Sequence, residues 1–210
     1  KATERRLHPP LSRLPQSRPS LRDILHQKAL LTFGESTFFS YLRSMKAEII
    51  QKYFPELTEK QLGQYEMLDE LYRDWNAKIN VISRKDIDNL YEHHVLHSLA
   101  IARMLRFKSG TRILDFGTGG GFPGIPLAIM FPECHFKLID GTGKKIRVAQ
   151  EVAKAIGLEN CEPCHLRGED EKGRYDFIVS RAVMPLPDLE RIVRKNVAKE
   201  SRNALPNGII

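Results

Sequence analysis

The sequence predicts an α/β protein, in which a doubly wound and mostly parallel sheet is preceded by a small helical unit. After residue 110, short apolar runs alternate with longer amphipathic segments, which is typical of parallel strands joined by crossover helices. The first apolar run, Arg112–Phe116, ends in a glycine-rich loop, the usual junction between such a strand and a nucleotide-binding helix. Before residue 110 the apolar residues recur at helical spacing instead.

The helical unit is assigned to residues 45–108 and starts with a clear helix signal. Thr58 and Gln61 have the spacing of a capping box. A second helix is predicted from about Asp86 to Leu105, and the two helices are expected to pack as an antiparallel pair. The first helix carries one apolar stripe, formed by Leu62, Tyr65, Leu68, Leu71, Tyr72 and Trp75.

The sheet domain is assigned to residues 109–210. A last strand begins at Gly208 and is cut off at Ile210, so we expect the sheet to lack its C-terminal strands. The earlier predicted strands are Arg112–Phe116, Phe136–Asp140, Cys161–Leu166 and Tyr175–Ser180. The predicted helices between and after them are Pro123–Phe131, Lys144–Ile156 and Pro187–Ala198.

Residues 1–44 differ from the rest of the chain. They are rich in Pro, Ser and Arg, and they carry eight Lys or Arg against three Asp or Glu, so most of the net charge of +7 lies there. Such a segment buries too little apolar surface to order itself and is predicted to be disordered. It resembles an organellar transit peptide, but we favour non-native upstream sequence, with Met45 as the initiator.

Composition excludes several classes of protein. With 41% hydrophobic and 28% charged residues, the chain has the make-up of a soluble globular protein, and no apolar stretch approaches the roughly 20 residues of a membrane span. Three cysteines and no signal peptide indicate a reduced, cytoplasmic protein. Neither Cys161 and Cys164 nor His93 and His97 has the further ligands of a metal site, so no metal is expected, and the two histidines are interpreted as surface or RNA-facing residues.

The loop after the first strand specifies a chemistry as well as a fold. Gly117, Gly119 and Gly121 allow a tight turn and a close approach to a ligand. Gly119, Gly121 and the glycine at 124 also fit a dinucleotide motif, so an NAD(P)-dependent oxidoreductase is an alternative. Against it, Asp115 would repel a pyrophosphate, and prolines at 123 and 126 remove backbone N–H groups that a pyrophosphate needs. Asp115 suits a cofactor that carries a positive charge.

The segments around this loop resemble one family closely. Asp115-Phe-Gly-Thr-Gly-Gly-Gly-Phe-Pro-Gly-Ile-Pro126, Leu-Ile-Asp140, Gly-Lys-Lys145 and Val-Ser-Arg181-Ala are similar to the GidB/RsmG family, as are the motifs at 75–80 and 94–99. The resemblance spans roughly residues 45–210. It implies a class I methyltransferase with a Rossmann-like sheet that uses S-adenosylmethionine to methylate guanine N7 in 16S ribosomal RNA. The implied partner is that RNA or the small ribosomal subunit, and a cytoplasmic monomer is expected.

The resemblance also implies roles for particular residues. Gly117, Gly119, Gly121 and Phe122 would hold the methionine and adenosine portions of the cofactor, and Asp140 would accept hydrogen bonds from its ribose hydroxyls. Gly168 and Glu169 match the pair expected near the adenine. Arg181 matches the arginine at the cofactor and target site, while His97 stands where many relatives carry aspartate.

Guanine N7 is a nucleophile that this sequence suits. Its lone pair lies in the plane of the base, so no general base has to remove a proton, and catalysis can consist of proximity and orientation. The segment from Ser180 to Pro185 lacks the Asp/Asn-Pro-Pro-Tyr motif of exocyclic-amine methyltransferases and contains no cysteine nucleophile. We therefore hypothesise that Arg181 donates to guanine O6; pairing of Arg181 with an acid at the sheet edge is the structural alternative. A non-catalytic RNA-binding module on the same fold also stays open.

Overall fold

Five parallel strands form the centre of the protein, in the spatial order β3-β2-β1-β4-β5. The computed structural model describes residues 47–210, so the predictions made for residues 1–44 lie outside the described part. Strand order reverses at β1 and β4, which makes the sheet doubly wound and confirms the predicted fold class. The strands are β1 Arg112–Phe116, β2 His135–Asp140, β3 Cys161–His165, β4 Phe177–Val179 and β5 Gly208–Ile209.

Helices precede the sheet and connect its strands. The α-helices are α1 (residues 47–53), α2 (Glu59–Lys78), α3 (His97–Met104), α4 (Gly124–Met130), α5 (Gly143–Ala155) and α6 (Leu186–Val193). Short 3₁₀ turns cover Ile87–Asn89, Gly168–Asp170 and Arg194–Asn196, and a π-helical segment covers Leu90–Leu96. Within residues 47–210, none of these helices combines the length and the apolar character needed to cross a bilayer.

The two faces of the sheet bury different partners. Ile113 of β1 belongs to a large apolar cluster that includes side chains of α2, α3, α4 and α5. The next residue, Leu114, points to the opposite face and belongs to a smaller cluster with Leu189 and Val193 of α6. This burial on both faces explains why consecutive residues of β1, and not only alternate ones, are apolar at Ile113 and Leu114.

Helix α2 is fixed to the sheet domain by polar side chains on its buried face. Its capping box is present as predicted, with Thr58 and Gln61 bonded reciprocally. The fully buried Tyr65 donates its hydroxyl to the carbonyl of Pro126, and Tyr72 donates to the carbonyl of Gly120, both at 2.9 Å. These bonds satisfy backbone acceptors of α4 and of the glycine loop. Helix α2 therefore supports the loop through hydrogen bonds as well as apolar contacts.

The second predicted helix forms three segments instead of one. A 3₁₀ turn at Ile87–Asn89 leads into the π-helical segment Leu90–Leu96 and then into α3. In this arrangement both His93 and His94 reach the carboxylate of Asp86, at 2.6 and 2.7 Å. A π-helical segment inside a helix is rare and is frequently found at functional sites.

The C-terminal elements are shorter than predicted. Tyr175 lies outside β4 and makes an isolated parallel bridge with Val197. Helix α6 ends at Val193 because Asn196, in the following 3₁₀ turn, is buried and its Nδ2 donates to the carbonyls of Glu171 and Gly173. A continuous helix to residue 198 would require Asn196 to give up both bonds.

Candidate active site

The predicted site residues gather at the carboxyl edge of the sheet. Asp115 lies near the end of β1, Asp140 ends β2, Gly168 follows β3 and Arg181 follows β4. Because all these strands are parallel, their carboxyl ends lie along one edge. The edge between β1 and β4, where the strand order reverses, is the place where open α/β sheets bind their ligands.

The glycine loop has a backbone that other residues would not adopt freely. Gly117, Gly119 and Gly121 have φ values of 72°, 59° and 113°. A Cβ at Gly117 would collide with Val183, and one at Gly121 would collide with Ile125. A Cβ at Gly119 would meet none of the described residues within 4 Å, so its conformation is strained for other residues but its surroundings are open. Gly119 therefore has room for a ligand.

Asp115 is completely buried under this loop. Its Oδ2 accepts hydrogen bonds from the Thr118 hydroxyl at 2.6 Å and from the Gly124 N–H at 2.7 Å. Its Oδ1 is buried too but has no hydrogen-bond partner among residues 47–210. Burial raises the pKa of this carboxyl to about 7, although the two hydrogen bonds and the nearby Arg181 act in the opposite direction. A cationic group beside this carboxyl would favour its ionised form and would offset the cost of burying it.

Asp140 holds the loop in place from the neighbouring strand. Its Oδ2 accepts from the backbone N–H of Gly119 at 2.9 Å, and its Oδ1 accepts from the N–H of Thr142 at 2.7 Å. A carboxylate has about four acceptor positions, so each oxygen keeps capacity for another donor. Asp140 can therefore bind a hydroxyl-bearing ligand while it fixes Gly119.

The Arg181 guanidinium lies half-buried beside the glycine loop. It sits over the ring of Phe122 at 5.5 Å, and it donates to His94 Nδ1 at 3.0 Å and to the His93 carbonyl at 3.3 Å. Burial lowers its pKa, while the charge of Asp115 acts in the opposite direction. Two of the five guanidinium N–H groups are used in these bonds, and the other three have no acceptor among residues 47–210. The next residue, Ala182, has a φ of 53°, a strained value of the kind that clusters at functional sites.

Phe122 is buried, and its side chain forms part of the wall behind the loop. Its ring packs against Tyr72 at 4.7 Å and His94 at 5.4 Å between ring centroids. Gly168 packs against the end of β1, because a Cβ there would collide with the ring of Phe116. Glu169 is exposed at the start of the turn after β3, with its carbonyl accepting from Lys195.

Comparison with known proteins identifies the family. The family profile described as rRNA small subunit methyltransferase G matches residues 59–205. The chain belongs to this family. The ribosomal RNA small subunit methyltransferase G of Parabacteroides distasonis is 68% identical over 162 residues, which cover 77% of this chain and 70% of that protein. The protein of the same name from Bacteroides thetaiotaomicron is 64% identical and covers 78% of this chain and 79% of its own length.

Solved structures also align with part of this chain. The S-adenosylmethionine-dependent methyltransferase of Aquifex aeolicus aligns with a TM-score of 0.41 and 24% identity, over 56% of this chain and 72% of that one.

The residues at the carboxyl edge of the sheet fit the cofactor S-adenosylmethionine. That molecule carries an ammonium, a sulfonium and a ribose diol. The buried free oxygen of Asp115 suits a cation, the spare acceptor positions of Asp140 suit hydroxyl groups, and the space at Gly119 admits a ligand. The dinucleotide alternative fits less well, because the acid under the loop would face a pyrophosphate.

Other candidate residues lie elsewhere. Cys161 and Cys164 are free thiols whose pKa values are raised mainly by burial, and within residues 47–210 no group of three or more metal-ligating side chains is found. His97 is exposed at the start of α3 and does not share the Asp86 site; His93 does, together with His94.

Three residues near the loop could not be assigned a role from the sequence. Tyr72 counted as one member of an apolar stripe, yet its hydroxyl bonds the glycine loop. His94 belongs to the motif that resembles the family. The spacing of eight positions from Asp86 to His94 matches no known motif, so the sequence does not predict their contact. The π-helical segment that joins these two residues has no signature in the pattern of apolar residues.

Proposed function

We propose that this protein transfers the methyl group of S-adenosylmethionine to N7 of a guanine in the 16S RNA of the small ribosomal subunit. The residues proposed to hold the cofactor are Gly117, Gly119, Gly121, Phe122, Asp140, Gly168, Glu169 and Arg181. Arg181 is also proposed to position the target base. The protein is proposed to work as a cytoplasmic monomer without a metal.

The observation that carries the proposal is the placement of a buried acid and a half-buried arginine at the same edge of the sheet, with Asp115 near the end of β1 and Arg181 after β4. Asp115, with one oxygen unpartnered among the described residues, lies close enough to Arg181 for each to affect the other's pKa. The acid favours a cationic cofactor, and the arginine, with three N–H groups that have no acceptor among residues 47–210, favours an acceptor-rich partner such as a base edge. A site that must bring a cation to a purine needs both.

The proposed chemistry asks little of the protein beyond alignment. S-adenosylmethionine, when bound, supplies an electrophilic methyl group on a sulfonium. Guanine N7 would attack the methyl carbon with its in-plane lone pair as the carbon–sulfur bond breaks and S-adenosylhomocysteine leaves. The residues of this chain then need only orient the base and exclude water. The segment Ser180–Pro185 offers a hydroxyl, a guanidinium and apolar side chains, with no side chain that titrates near pH 7.

We propose that Arg181 donates to guanine O6. Arginine commonly binds the O6 and N7 edge of guanine with two bonds, but N7 must stay free here for the methyl group. Donation to O6 alone would place the N7 edge near the cofactor. This interaction would also select guanine over adenine, which presents an amino group at the same position.

The decisive experiment is transfer of a labelled methyl group to small-subunit RNA, both protein-free and in the ribosomal particle. RNA transcribed with 7-deazaguanosine has a C–H in place of N7 and should accept no label, while RNA with inosine lacks only the 2-amino group and should remain a substrate. Transfer to 7-deaza RNA would exclude N7. Binding of RNA with no transfer to either form would favour the non-catalytic module.

A cofactor titration separates this proposal from an oxidoreductase. S-adenosylmethionine should raise the melting temperature in proportion to the logarithm of its concentration above the Kd, and NAD should not. A shift with NAD alone would overturn the cofactor assignment.

A further inference from the structure

Arg181 is held by two further side chains, His94 and Asp86, which lie outside the glycine loop and are joined to Arg181 by successive hydrogen bonds. Arg181 Nη2 lies 3.0 Å from His94 Nδ1, and His94 Nε2 lies 2.7 Å from Asp86 Oδ2. The second carboxylate oxygen of Asp86 contacts His93 Nδ1 at 2.6 Å and Asn89 Nδ2 at 3.3 Å. These hydrogen bonds thus link the turn at Asp86 to the Arg181 guanidinium at the edge of the sheet.

The protonation state of His94 follows from its two partners. A guanidinium only donates, so His94 Nδ1 must accept and cannot carry a proton. The single ring proton is therefore on Nε2 and is donated to Asp86, which makes the imidazole neutral. Burial lowers the pKa of His94, although Asp86 acts in the opposite direction, so the ring stays neutral at physiological pH.

Both ring packing and hydrogen bonds restrain the Arg181 guanidinium. The guanidinium and the His94 ring both pack on Phe122, at 5.5 and 5.4 Å, and the His93 carbonyl accepts a further bond. A free arginine side chain has large rotamer entropy, on the order of 2 kcal/mol, which would oppose any fixed contact with a substrate. A preorganised guanidinium loses less of it when the base arrives.

We propose that His94 and Asp86 are positioning residues that hold the Arg181 guanidinium for the target base, and that His94 does so only when it is neutral. This inference rests on the proposed role of Arg181. A protonated His94 would present an N–H and a positive charge to the guanidinium, so the contact would become repulsive. Turnover should then fall on the acid side.

The other charged groups near His94 set where this loss occurs. Asp86 raises the pKa of His94, while Arg181 and His93 lower it. Asp115 is near Arg181, and Tyr72 contacts Phe122 from α2. Protonation of Asp115 also occurs on the acid side, but it should weaken cofactor binding, so kcat at saturating S-adenosylmethionine isolates the effect of His94.

Two isosteric variants of His94 separate its hydrogen bond to Arg181 from its hydrogen bond to Asp86. The amide of Asn occupies the position of Nδ1, so His94→Asn keeps an acceptor for Arg181 and loses the bond to Asp86. The amide of Gln occupies the position of Nε2, so His94→Gln keeps the Asp86 bond and loses the one to Arg181. We expect kcat of His94→Gln to fall roughly 10- to 100-fold, as for a lost hydrogen bond to a charged group, and His94→Asn to retain much more activity.

The pH profile adds a readout that a merely structural role would not change. The acid-side loss of kcat should disappear in His94→Asn, because an amide does not titrate. In Asp86→Ala it should move to lower pH, because the carboxylate that raises the pKa of His94 is gone. Asn89→Ala removes another partner of Asp86 that does not touch Arg181, so its kcat should match the wild type.

A double-mutant comparison separates failure of this inference from failure of the proposed function. If His94 acts through Arg181, His94→Gln should cause no further loss in the Arg181→Ala background. Full activity of Arg181→Ala would overturn the role of Arg181 and this inference with it. An inactive Arg181→Ala combined with a fully active His94→Gln would overturn positioning alone. Should His94→Gln fail to fold, shown by its melting temperature, the shift in the Asp86→Ala profile decides, and an unshifted profile contradicts the inference.

Discussion

The hydroxyl of Tyr72 donates to the carbonyl of Gly120 at 2.9 Å, which joins helix α2 to the middle of the glycine loop. The Tyr72 side chain is fully buried, and its ring packs on Phe122, two residues further along the same loop. The helical segment before the sheet therefore supports the glycine loop directly.

Tyr72→Phe should loosen the loop while leaving the packing of the ring intact. The change removes one donor and leaves the Gly120 carbonyl buried without it, which should cost about 1–3 kcal/mol of unfolding free energy. We expect a lower melting temperature and weaker S-adenosylmethionine binding by calorimetry. Tyr91→Phe is the matched control, because its hydroxyl bonds the Tyr65 carbonyl away from the loop. Equal losses of cofactor affinity in both variants would contradict a specific role of Tyr72.

Gly119→Ala should separate the fold from the binding of the cofactor. A Cβ at Gly119 meets none of the described residues within 4 Å, but φ is 59°, so the cost to stability should be about 1 kcal/mol. The methyl group would enter the space that a ligand needs, so affinity for S-adenosylmethionine should fall by a larger factor than stability does.

The control for this variant is a glycine without either constraint. Gly63 lies in α2, where an added Cβ would meet none of the described residues within 4 Å, and its φ is not in the left-handed region. Gly63→Ala should stabilise the protein by roughly 0.5–1 kcal/mol through helix propensity and leave cofactor binding unchanged. Unaltered binding in Gly119→Ala would mean that the cofactor does not approach this part of the loop.

Asn196→Ala should lower the free energy of unfolding without changing the proposed active site. Asn196 is buried, and its Nδ2 satisfies the carbonyls of Glu171 and Gly173 at 3.0 and 2.8 Å. Loss of both bonds should cost on the order of 2 kcal/mol, seen as a lower denaturant midpoint. The methyl-transfer rate at a temperature where the variant is folded should be unchanged, and a large loss of rate there would contradict this separation of roles.

The sequence predicts the parts of this protein that depend on local periodicity. The bounds of β1 match because the run is short, apolar and ended by glycine, and the cap of α2 matches because Thr58 and Gln61 satisfy each other locally. Asp115 could be singled out from the sequence because it lies just before the glycines, and it lies in β1 as predicted. The contact between Asp86, His94 and Arg181 could not be predicted, because it joins segments 87 residues apart through a π-helical distortion. The end of α6 depends likewise on the remote partners of Asn196.

Asp115→Asn tests the buried acid through the pH dependence of stability. In the folded protein without cofactor, burial raises the pKa of Asp115 from 3.8 to about 7, so the folded state holds its proton more tightly than the unfolded state between these values. The stability that this proton confers is complete below pH 4, falls as the pH rises towards 7 and is lost above it. Over that range the change is on the order of 4 kcal/mol.

The asparagine variant does not titrate, so its melting temperature relative to the wild type should rise from pH 5 to about pH 7.5 and then level off. The effect of the amide group on the melting temperature is the same at every pH. The quantity to measure is therefore how the difference in melting temperature between variant and wild type changes with pH, and not the sign of that difference. Saturating S-adenosylmethionine should reduce this slope in the wild type, because a cationic ligand stabilises the ionised carboxylate. A difference that does not vary with pH would show that Asp115 is already ionised in the folded protein, and a slope that the cofactor leaves unchanged would mean that the cation binds elsewhere.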